Sequence, residues 1–219
     1  MKSTKRGILI ACEGIDGSGK STLAKALFTH FSAQNIPVLL TKEPGGTEFG
    51  KQLRAMLQDA SVKRCAKAEF LLFAADRAQH FQEMVIPALS KGTLVISDRL
   101  ADSSLVYQGY GRGLDHAMIQ EINAWAINNH KPDITIYLRV DAQTAFDRII
   151  KRNEEKTAFE QESKDFFNRL ITGFDTLYAQ RPDVIIINGD ASRETIAQEA
   201  LEKLNHLLAM QNLESQTHD

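Results

Sequence analysis

Residues 14–22 read GIDGSGKST, and their types and spacing suit the binding of a phosphate chain. The pattern G-x-x-x-x-G-K-S supplies backbone N–H groups, a lysine that reaches the β- and γ-phosphates of a nucleotide, and a hydroxyl that binds Mg²⁺. A glycine-rich turn that binds nothing is the alternative. The match lies between an apolar run and a helical pattern, which favours a phosphate-binding loop. We therefore predict a nucleotide-binding loop made of Gly14, Ile15, Asp16, Gly17, Ser18, Gly19, Lys20, Ser21 and Thr22.

Such a loop needs a strand before it and a helix after it, and the chain repeats this alternation. Short apolar runs, typical of strands buried on both faces of a parallel sheet, occur at residues 8–12, 38–41, 94–97, 134–140 and 184–187. Helical patterns occur at 21–33, 47–57, 66–91, 115–129, 142–152, 165–179 and 193–208. The pattern predicts an α/β doubly wound domain, with an irregularity at Pro87 and a polar, frayed tail over 211–219.

An acidic residue follows the third apolar run. Asp98 stands at the carboxyl end of this predicted strand, where enzymes with a phosphate-binding loop hold a second Mg²⁺ contact. The alternative is that Asp98 caps the next segment. With the loop present we favour a metal site made of Ser21 and Asp98.

Composition excludes several classes of protein. The 219 residues suit one domain, 1–219, and a net charge of −2 gives no overall attraction to nucleic acid. The two cysteines form neither a disulfide framework nor a metal spacing, and the first apolar run is too short for a membrane span. We expect a cytoplasmic protein that acts on small phosphate compounds and has no nucleic-acid or membrane partner.

Several further stretches carry a family resemblance. They are EGIDGSGKST at 13–22, KEPGGT at 42–47, LLFAADR at 71–77, DRLADSSLVYQGYGRG at 98–113 and EQESKDFFNR at 160–169. With these stretches in this order, the chain resembles bacterial thymidylate kinase. The resemblance implies a P-loop nucleoside monophosphate kinase fold, with a five-stranded parallel sheet flanked by helices and a short mobile lid at roughly 148–162. It also implies transfer of the γ-phosphoryl group of ATP to dTMP with Mg²⁺, giving dTDP and ADP in dTTP synthesis, by a homodimer.

The resemblance implies roles at the acceptor site. Asp16 would meet the sugar 3′-hydroxyl, and Arg99 would hold the dTMP phosphate as a catalytic residue beside Lys20. Phe73 would stack on thymine, and Arg77, four residues later on the same helix face, would bind O4. The remaining substrate-binding positions are Ser104 and Tyr107, at the thymine edge and the sugar 2′ side, and Gln108. The alternatives are a core aromatic for Phe73, a structural ion pair for Arg99, and mere packing for Tyr107 and Gln108.

The chain departs from the family in two places. Lys42 stands where the family usually has arginine, so the charge remains but the bidentate fork is lost. Gly17 and Ser18 are uncharged, which resembles the subtype that supplies catalytic arginines from its lid. The ranked candidates are Arg152, then Arg148, with Lys151 and Lys156 also possible; a solvated charged face is the alternative. The lid reads Thr-Ala-Phe-Glu at 157–160, and one arginine expected there is missing.

Two other functions stay open from the residues alone. A deoxynucleoside kinase would also use such a loop and an Asp-Arg pair, but it needs no cations for an acceptor phosphate. A nucleotide-sensing protein without turnover is favoured mildly by the thinned lid. Intact Lys20, Ser21 and Asp98 argue against it.

Overall fold

The fold is built on a five-stranded parallel sheet. The computed structural model describes residues 6–152 and 157–216. Its strands, in the spatial order β2-β3-β1-β4-β5, are β1 Leu9–Glu13, β2 Val38–Lys42, β3 Leu94–Asp98, β4 Ile134–Arg139 and β5 Val184–Asn188. All neighbouring strands pair in parallel. The predicted strands are confirmed to within one residue at each end.

Helices connect the strands. They are α1 Lys20–Ala33, α2 Glu48–Gln58, α3 Ala66–His80, α4 Ile86–Ser90, α5 Ala101–Ser104, α6 His116–Ala126, α7 Ala142–Lys151, α8 Lys164–Tyr178 and α9 Arg193–Gln216. A π-helical turn, Phe81–Val85, joins α3 to α4, and a second, Leu105–Gly111, follows α5. The irregularity predicted at Pro87 thus lies in the turn just before it, because proline has no N–H to donate into that turn.

Three predicted boundaries need correction. Helix α6 ends at Ala126 instead of residue 129, because Asn128 and Asn129 adopt left-handed backbone angles. Residues 211–216, predicted as a frayed tail, continue α9, while residues 217–219 lie outside the described residues. Residues 101–111, which the predicted helices omit, are helical.

Both faces of the sheet are buried. Successive residues of β1 point to opposite sides, so Ile10 packs with α1 and α9 while Leu9 packs with the α3–α4 segment. Leu27 of α1 and Val85 of the π-helical turn are fully buried on the two sides. The result is three layers with the core on either side of the sheet. Among the described residues, no helix has the length and apolar composition that a membrane span requires.

The sheet order brings two loops to one edge. Strand β1 pairs with β3, and Cys12 lies opposite Asp98 in the register. Just beyond the strand end, the Arg99 amide donates to Cys12 O at 3.0 Å. The loop after β1 and the loop after β3 therefore open side by side at the carboxyl ends of the strands, where α/β sheets bind ligands.

Candidate active site

A large cleft lies at this edge, with a volume of about 1430 Å³. The predicted site residues that line it are Asp16, Gly17, Ser18, Gly19, Lys20, Ser21, Thr22, Phe73, Arg77, Asp98, Arg99, Ser104, Tyr107, Gln108, Arg148 and Arg152. Gly14 and Ile15, at the start of the loop, are not among the residues that line the cleft, and the Ile15 side chain packs in a core cluster with Tyr137 and Ala145. Any contact of Ile15 with a nucleotide is therefore a backbone contact.

Glycines allow the first loop to pass close to the backbone of β4 and α7. Gly14, Gly17 and Gly19 have φ values of 145°, 79° and 100°. A Cβ on Gly14 would lie 2.7 Å from Leu138 O, and one on Gly17 would lie 2.5 Å from Ala145 O. Helix α1 then begins at residue 20, so its free N–H groups and its positive dipole end face the cleft.

Lys20 is held beneath this loop. Its Nζ donates to Ile15 O at 3.1 Å and lies 3.9 Å from Asp16 Oδ1. Burial, followed by repulsion from Arg99, lowers the pKa of Lys20 below its ordinary value. The lysine is thus a desolvated cation, and a phosphate group would compensate its charge.

The two residues predicted to bind a metal ion, Ser21 and Asp98, are in contact. The Ser21 hydroxyl donates to Asp98 Oδ2. Asp98 Oδ1 is buried and has no hydrogen-bond partner among the described residues. A hydroxyl and a carboxylate with a spare oxygen suit Mg²⁺, which prefers oxygen ligands and binds through one or two protein groups plus phosphates and water. The donor set therefore fits Mg²⁺, and the described residues hold no cluster of three or more His, Cys, Asp or Glu side chains that would favour another metal.

Asp16, Arg99 and Tyr107 form one hydrogen-bonded group. Arg99 Nη2 lies 2.7 Å from Asp16 Oδ1 and 3.0 Å from Tyr107 Oη, and Tyr107 Oη donates to Asp16 Oδ2 at 2.9 Å. Burial alone would raise the pKa of Asp16, but the charges of Arg99 and Lys20 hold it well below its usual range. The ion pair considered for Arg99 thus exists, and its partner is Asp16 rather than the adjacent Asp98.

A buried glutamate that sequence reasoning missed holds the turn after Arg99. Glu13, at the end of β1, is fully buried and accepts from Leu100 N at 2.8 Å and from Ser103 Oγ at 2.5 Å. Ser103 Oγ in turn accepts from Arg99 Nη1 at 3.0 Å. Burial, aided by the negative charge of Asp102, raises the pKa of Glu13 to about 7. Its only sequence signal is an acidic residue ending an apolar strand.

Phe73 and Arg77 lie on the cleft side of α3. Phe73 is half-buried, and its ring centroid lies 5.8 Å from that of Phe159, so it is not a core aromatic. Arg77 is 1% exposed and donates from Nε to Glu43 Oε2 at 2.8 Å and from Nη1 to Ser104 Oγ at 3.0 Å. Arg77 and Ser104 are therefore one buried unit at the wall of the cleft.

Gln108 completes this wall from the π-helical turn. It is 1% exposed, and its Nε2 donates to Glu69 Oε1 at 3.0 Å. Its Oε1 is buried without a hydrogen-bond partner among the described residues. An unpaired buried acceptor is costly, so this atom is a candidate for a contact with a ligand.

Arg54 is a cation in the cleft that the sequence did not reveal. It lies on α2, and its Nη1 donates to Pro44 O at 2.9 Å. Burial, then the positive charge of Arg54, lowers the pKa of nearby Lys42. No motif pointed to Arg54, because its place in the cleft depends on the contact between α2 and the 42–47 loop.

The candidate lid residues Arg148 and Arg152 line the cleft from α7 and from the residue just after it. Arg148 donates to Ser18 O at 3.2 Å and to Gly189 O at 2.8 Å, which joins α7 to the first loop and to the turn after β5. Arg152 Nη2 donates to both carboxylate oxygens of buried Glu160, at 2.8 and 3.0 Å. Lys151 is exposed in the last turn of α7, and Lys156 lies outside the described residues. The two arginines thus approach the cleft from one helix, but with different partners.

Comparison with known proteins identifies the family of the chain. The family model described as thymidylate kinase matches residues 12–200. A thymidylate kinase of Halothermothrix orenii is 40% identical over 93% of this chain and 99% of the relative, and one of Bacillus velezensis is 36% identical over 92% and 97%. The crystal structure of thymidylate kinase from Ehrlichia chaffeensis has a TM-score of 0.74 at 31% identity, covering 91% of this chain and 99% of that one. A match over most of the chain, in sequence and in fold, means that this chain belongs to the thymidylate kinase family.

Proposed function

We propose that the cleft binds ATP over the first loop and dTMP against Arg99, with the two phosphate groups meeting beside Asp16. The chain is an ATP-dependent nucleoside monophosphate kinase, which transfers the γ-phosphoryl group of ATP to dTMP and gives ADP and dTDP for dTTP synthesis. One observation carries the arrangement. Asp16 lies 3.9 Å from Lys20 and 2.7 Å from Arg99, so one carboxylate separates a donor cation from an acceptor cation.

The donor side follows from the loop and the metal pair. Backbone N–H groups of residues 14–20 hold the phosphates, and Lys20 neutralises the β- and γ-oxygens. Ser21 and Asp98 are the groups that would hold Mg²⁺. When bound, the ion balances the negative charge of the phosphates during transfer.

The acceptor side uses Arg99, Asp16 and Tyr107. All four Nη–H groups of Arg99 donate within the protein, so Nη2 exchanges its bonds to Asp16 and Tyr107 for the dTMP phosphate. Arg99 then holds this phosphate in line with the γ-phosphoryl group. Asp16 accepts the sugar 3′-hydroxyl, and the Tyr107 ring lies beside C2′. Arg54 adds a second cation to the acceptor site, where it offsets the missing arginine at Lys42.

The base lies between Phe73 and the polar wall. Thymine presents an acceptor at O4 beside a donor at N3–H, and the wall presents a donor in Arg77 beside the unpartnered acceptor Oε1 of Gln108. This complementary pair supports thymine as the base, with Phe73 stacked on its face.

The lid supplies the remaining positive charge. We assign the catalytic role first to Arg152, which exchanges its pairing with Glu160 for the γ-phosphoryl group, and second to Arg148, whose guanidinium already lies at Ser18 O. Added cations stabilise the charge that spreads over the transferring group.

A homodimer in the cytoplasm completes the proposal, without nucleic-acid or membrane partners. Large apolar side chains are exposed on α3 and α6, namely Leu71 at 54%, Met118 at 54% and Trp125 at 78%. Exposed apolar groups on adjacent helices favour an interface with a second copy.

A coupled assay of ADP release tests the reaction. We expect turnover with dTMP and Mg²⁺, and far less with thymidine, because thymidine has no phosphate for Arg99 and Arg54. Turnover that favours thymidine would point to a deoxynucleoside kinase. Binding of both nucleotides without ADP release would point to a sensor, and either result would contradict the proposal.

A further inference from the structure

Glu69 is a buried carboxylate beside the base pocket to which the assignments above give no role. It lies in the first turn of α3 with 6% of its surface exposed. Besides the bond from Gln108, it receives Arg112, whose Nε lies 3.3 Å from Oε1 and whose Nη2 lies 3.3 Å from Oε2. A carboxylate is costly to bury, so its presence here calls for a physical reason.

The reason lies in the amide that it contacts. A glutamine amide has a donor end and an acceptor end, and a half-turn about its last bond exchanges them. An ionised carboxylate only accepts hydrogen bonds, so Glu69 attracts Nε2 and leaves Oε1 on the opposite side of the amide. Gln108 lines the cleft, and its buried Oε1 is the atom without a partner among the described residues.

We propose that Glu69 is a positioning residue for base selection, which orients the Gln108 amide so that the pocket offers an acceptor to a base with N3–H. The inference rests on the proposed binding of thymine against Phe73, Arg77 and Gln108. A cytosine base, whose N3 is an acceptor, then meets the lone pairs of Oε1 and is rejected. Glu69 thus acts on the substrate only through Gln108.

Arg112 keeps this carboxylate in place. Its Nη1 lies 2.6 Å from Glu162 Oε1, and its guanidinium carbon lies 4.7 Å from the centre of the Phe166 ring. The arginine is therefore fixed from several sides and balances the charge of Glu69. The competing explanation is that Glu69 serves only as a counter-ion for Arg112, in which case the amide orientation does not depend on it.

The test replaces Glu69 by a group of the same shape that can also donate. In Glu69→Gln either end of the Gln108 amide finds a partner, so both orientations become accessible. The readout is the ratio of kcat/KM for dTMP to kcat/KM for 5-methyl-dCMP, which keeps the methyl group and the sugar. The 4-amino group of that analogue meets the same Arg77 in both enzymes, so a change in the ratio reports on N3. We expect the ratio to fall about tenfold, the size of one hydrogen bond.

Matched variants separate positioning from a structural role. Gln108→Leu removes the amide, and adding Glu69→Gln to it should not lower the ratio further. Glu162→Gln alters the other partner of Arg112 and should keep the wild-type ratio within about twofold, less than one hydrogen bond would change it. If Glu69→Gln does not fold by circular dichroism, Glu69→Asp replaces it, since the shorter carboxylate releases Nε2 and the same fall is expected.

The outcomes are distinct. A wild-type enzyme that strongly prefers dTMP, with a variant whose two kcat/KM values fall in parallel and leave the ratio unchanged, would overturn the role of Glu69 alone. An equal fall in Glu162→Gln would also overturn it, in favour of the counter-ion explanation. A wild-type enzyme that turns over dTMP without preferring it over 5-methyl-dCMP would remove the base-edge assignment, and the inference with it.

Discussion

The side chains of Asp16 and Arg99 are joined across the acceptor end of the cleft, with Oδ1 and Nη2 2.7 Å apart. Arg99 has a φ of +73°, in the left-handed region that most side chains avoid. Bonds from its Nη1 to Gly14 O at 2.9 Å and to Ser103 Oγ at 3.0 Å fix the guanidinium that this backbone conformation directs into the cleft. The protein itself therefore fixes the direction in which the fork points.

Arg99→Ala should raise the dTMP KM and also lower kcat, because an acceptor oxygen without its clamp loses the in-line geometry. We expect kcat to fall about 10²-fold, the effect of misplacing a reacting group by roughly 1 Å. Arg99→Lys should recover little of the lost kcat, since one ammonium group cannot replace the two-pronged guanidinium. Arg139→Ala, which removes an exposed arginine paired with Asp175, is the control and should leave both constants unchanged. A wild-type kcat in Arg99→Ala would exclude the clamp.

Arg152→Ala should behave differently from the clamp variant. If Arg152 binds the γ-phosphoryl group only when transfer occurs, kcat and kcat/KM fall together while the dTMP KM stays nearly constant. The loss is expected to be of the order of 10³-fold, as for arginine fingers. Because Arg148 can substitute for it, each variant and the double variant are measured at saturating ATP. A double variant with wild-type kcat would place the catalytic cation elsewhere.

Tyr107 offers two variants that separate its ring from its hydroxyl. Tyr107→Ala opens space beside C2′ and should raise turnover of the ribose analogue of dTMP relative to dTMP. Tyr107→Phe keeps the ring, so it should keep the sugar preference while losing the bond to Asp16. Equal sugar preference in wild type and Tyr107→Ala would contradict the assignment.

The buried carboxyl group of Asp76 should make the stability of the folded protein depend on pH. Its Oδ1 accepts from Gly45 N at 2.9 Å, and its buried Oδ2 has no partner among the described residues. Burial, followed by repulsion from Glu43, raises the pKa of Asp76 to about 6, above the ordinary 3.8. The folded state thus binds more protons than the unfolded state between these values, and its stability falls as pH rises through them.

Asp76→Asn cannot ionise and keeps the acceptor for Gly45. Its melting temperature relative to wild type should therefore increase from about pH 4 to pH 7. Asp141→Asn is the control of opposite sign. Hydrogen bonds from Thr144 N and Oγ1 lower the pKa of Asp141 and stabilise its ionised form. Asp141→Asn should therefore melt at a lower temperature than wild type at neutral pH, and this difference should shrink as pH falls through the lowered pKa. Parallel curves for wild type and Asp76→Asn would refute the prediction.

The proposed dimer can be measured by light scattering. One chain has a mass of 24.5 kDa, so wild type should give about twice that value at micromolar concentration. Leu71→Asp combined with Trp125→Asp should give a single chain, because the added charges would have to be buried in the interface. Ile150→Asp, an equally exposed position on α7, should leave the mass unchanged. A wild-type mass of 24.5 kDa would count against the dimer.

The strands could be predicted from sequence because strands buried on both faces need nearly continuous apolar runs, as at Leu9 to Cys12. The segment 101–111 could not, since its helical and π-helical turns mix Ser, Gly and Tyr without an amphipathic period. Its helical form follows from packing, including Gly111 against Phe166.

The same limit applies to the site. The loop and the Asp98–Arg99 pair lie in recognisable local patterns. Glu13, Glu69 and Arg54 act through contacts with residues elsewhere in the chain, so local patterns do not reveal their roles. Contacts of this kind, such as Glu13 to Ser103, arise only when β1 and β3 lie side by side.

The central place of β1 has a further consequence. Strand β1 leads into the loop proposed to hold the donor phosphates. The side chains proposed to surround thymine come from the segments after β2 and β3, which lie on one side of β1. Among the described residues, Arg77 and Gln108 donate to Glu43, Ser104 and Glu69 and not to Lys20, Ser21 or Asp98, so changes at the base leave the lysine and the metal pair in place. The choice of base can therefore evolve, or be redesigned, while the residues for phosphoryl transfer stay the same.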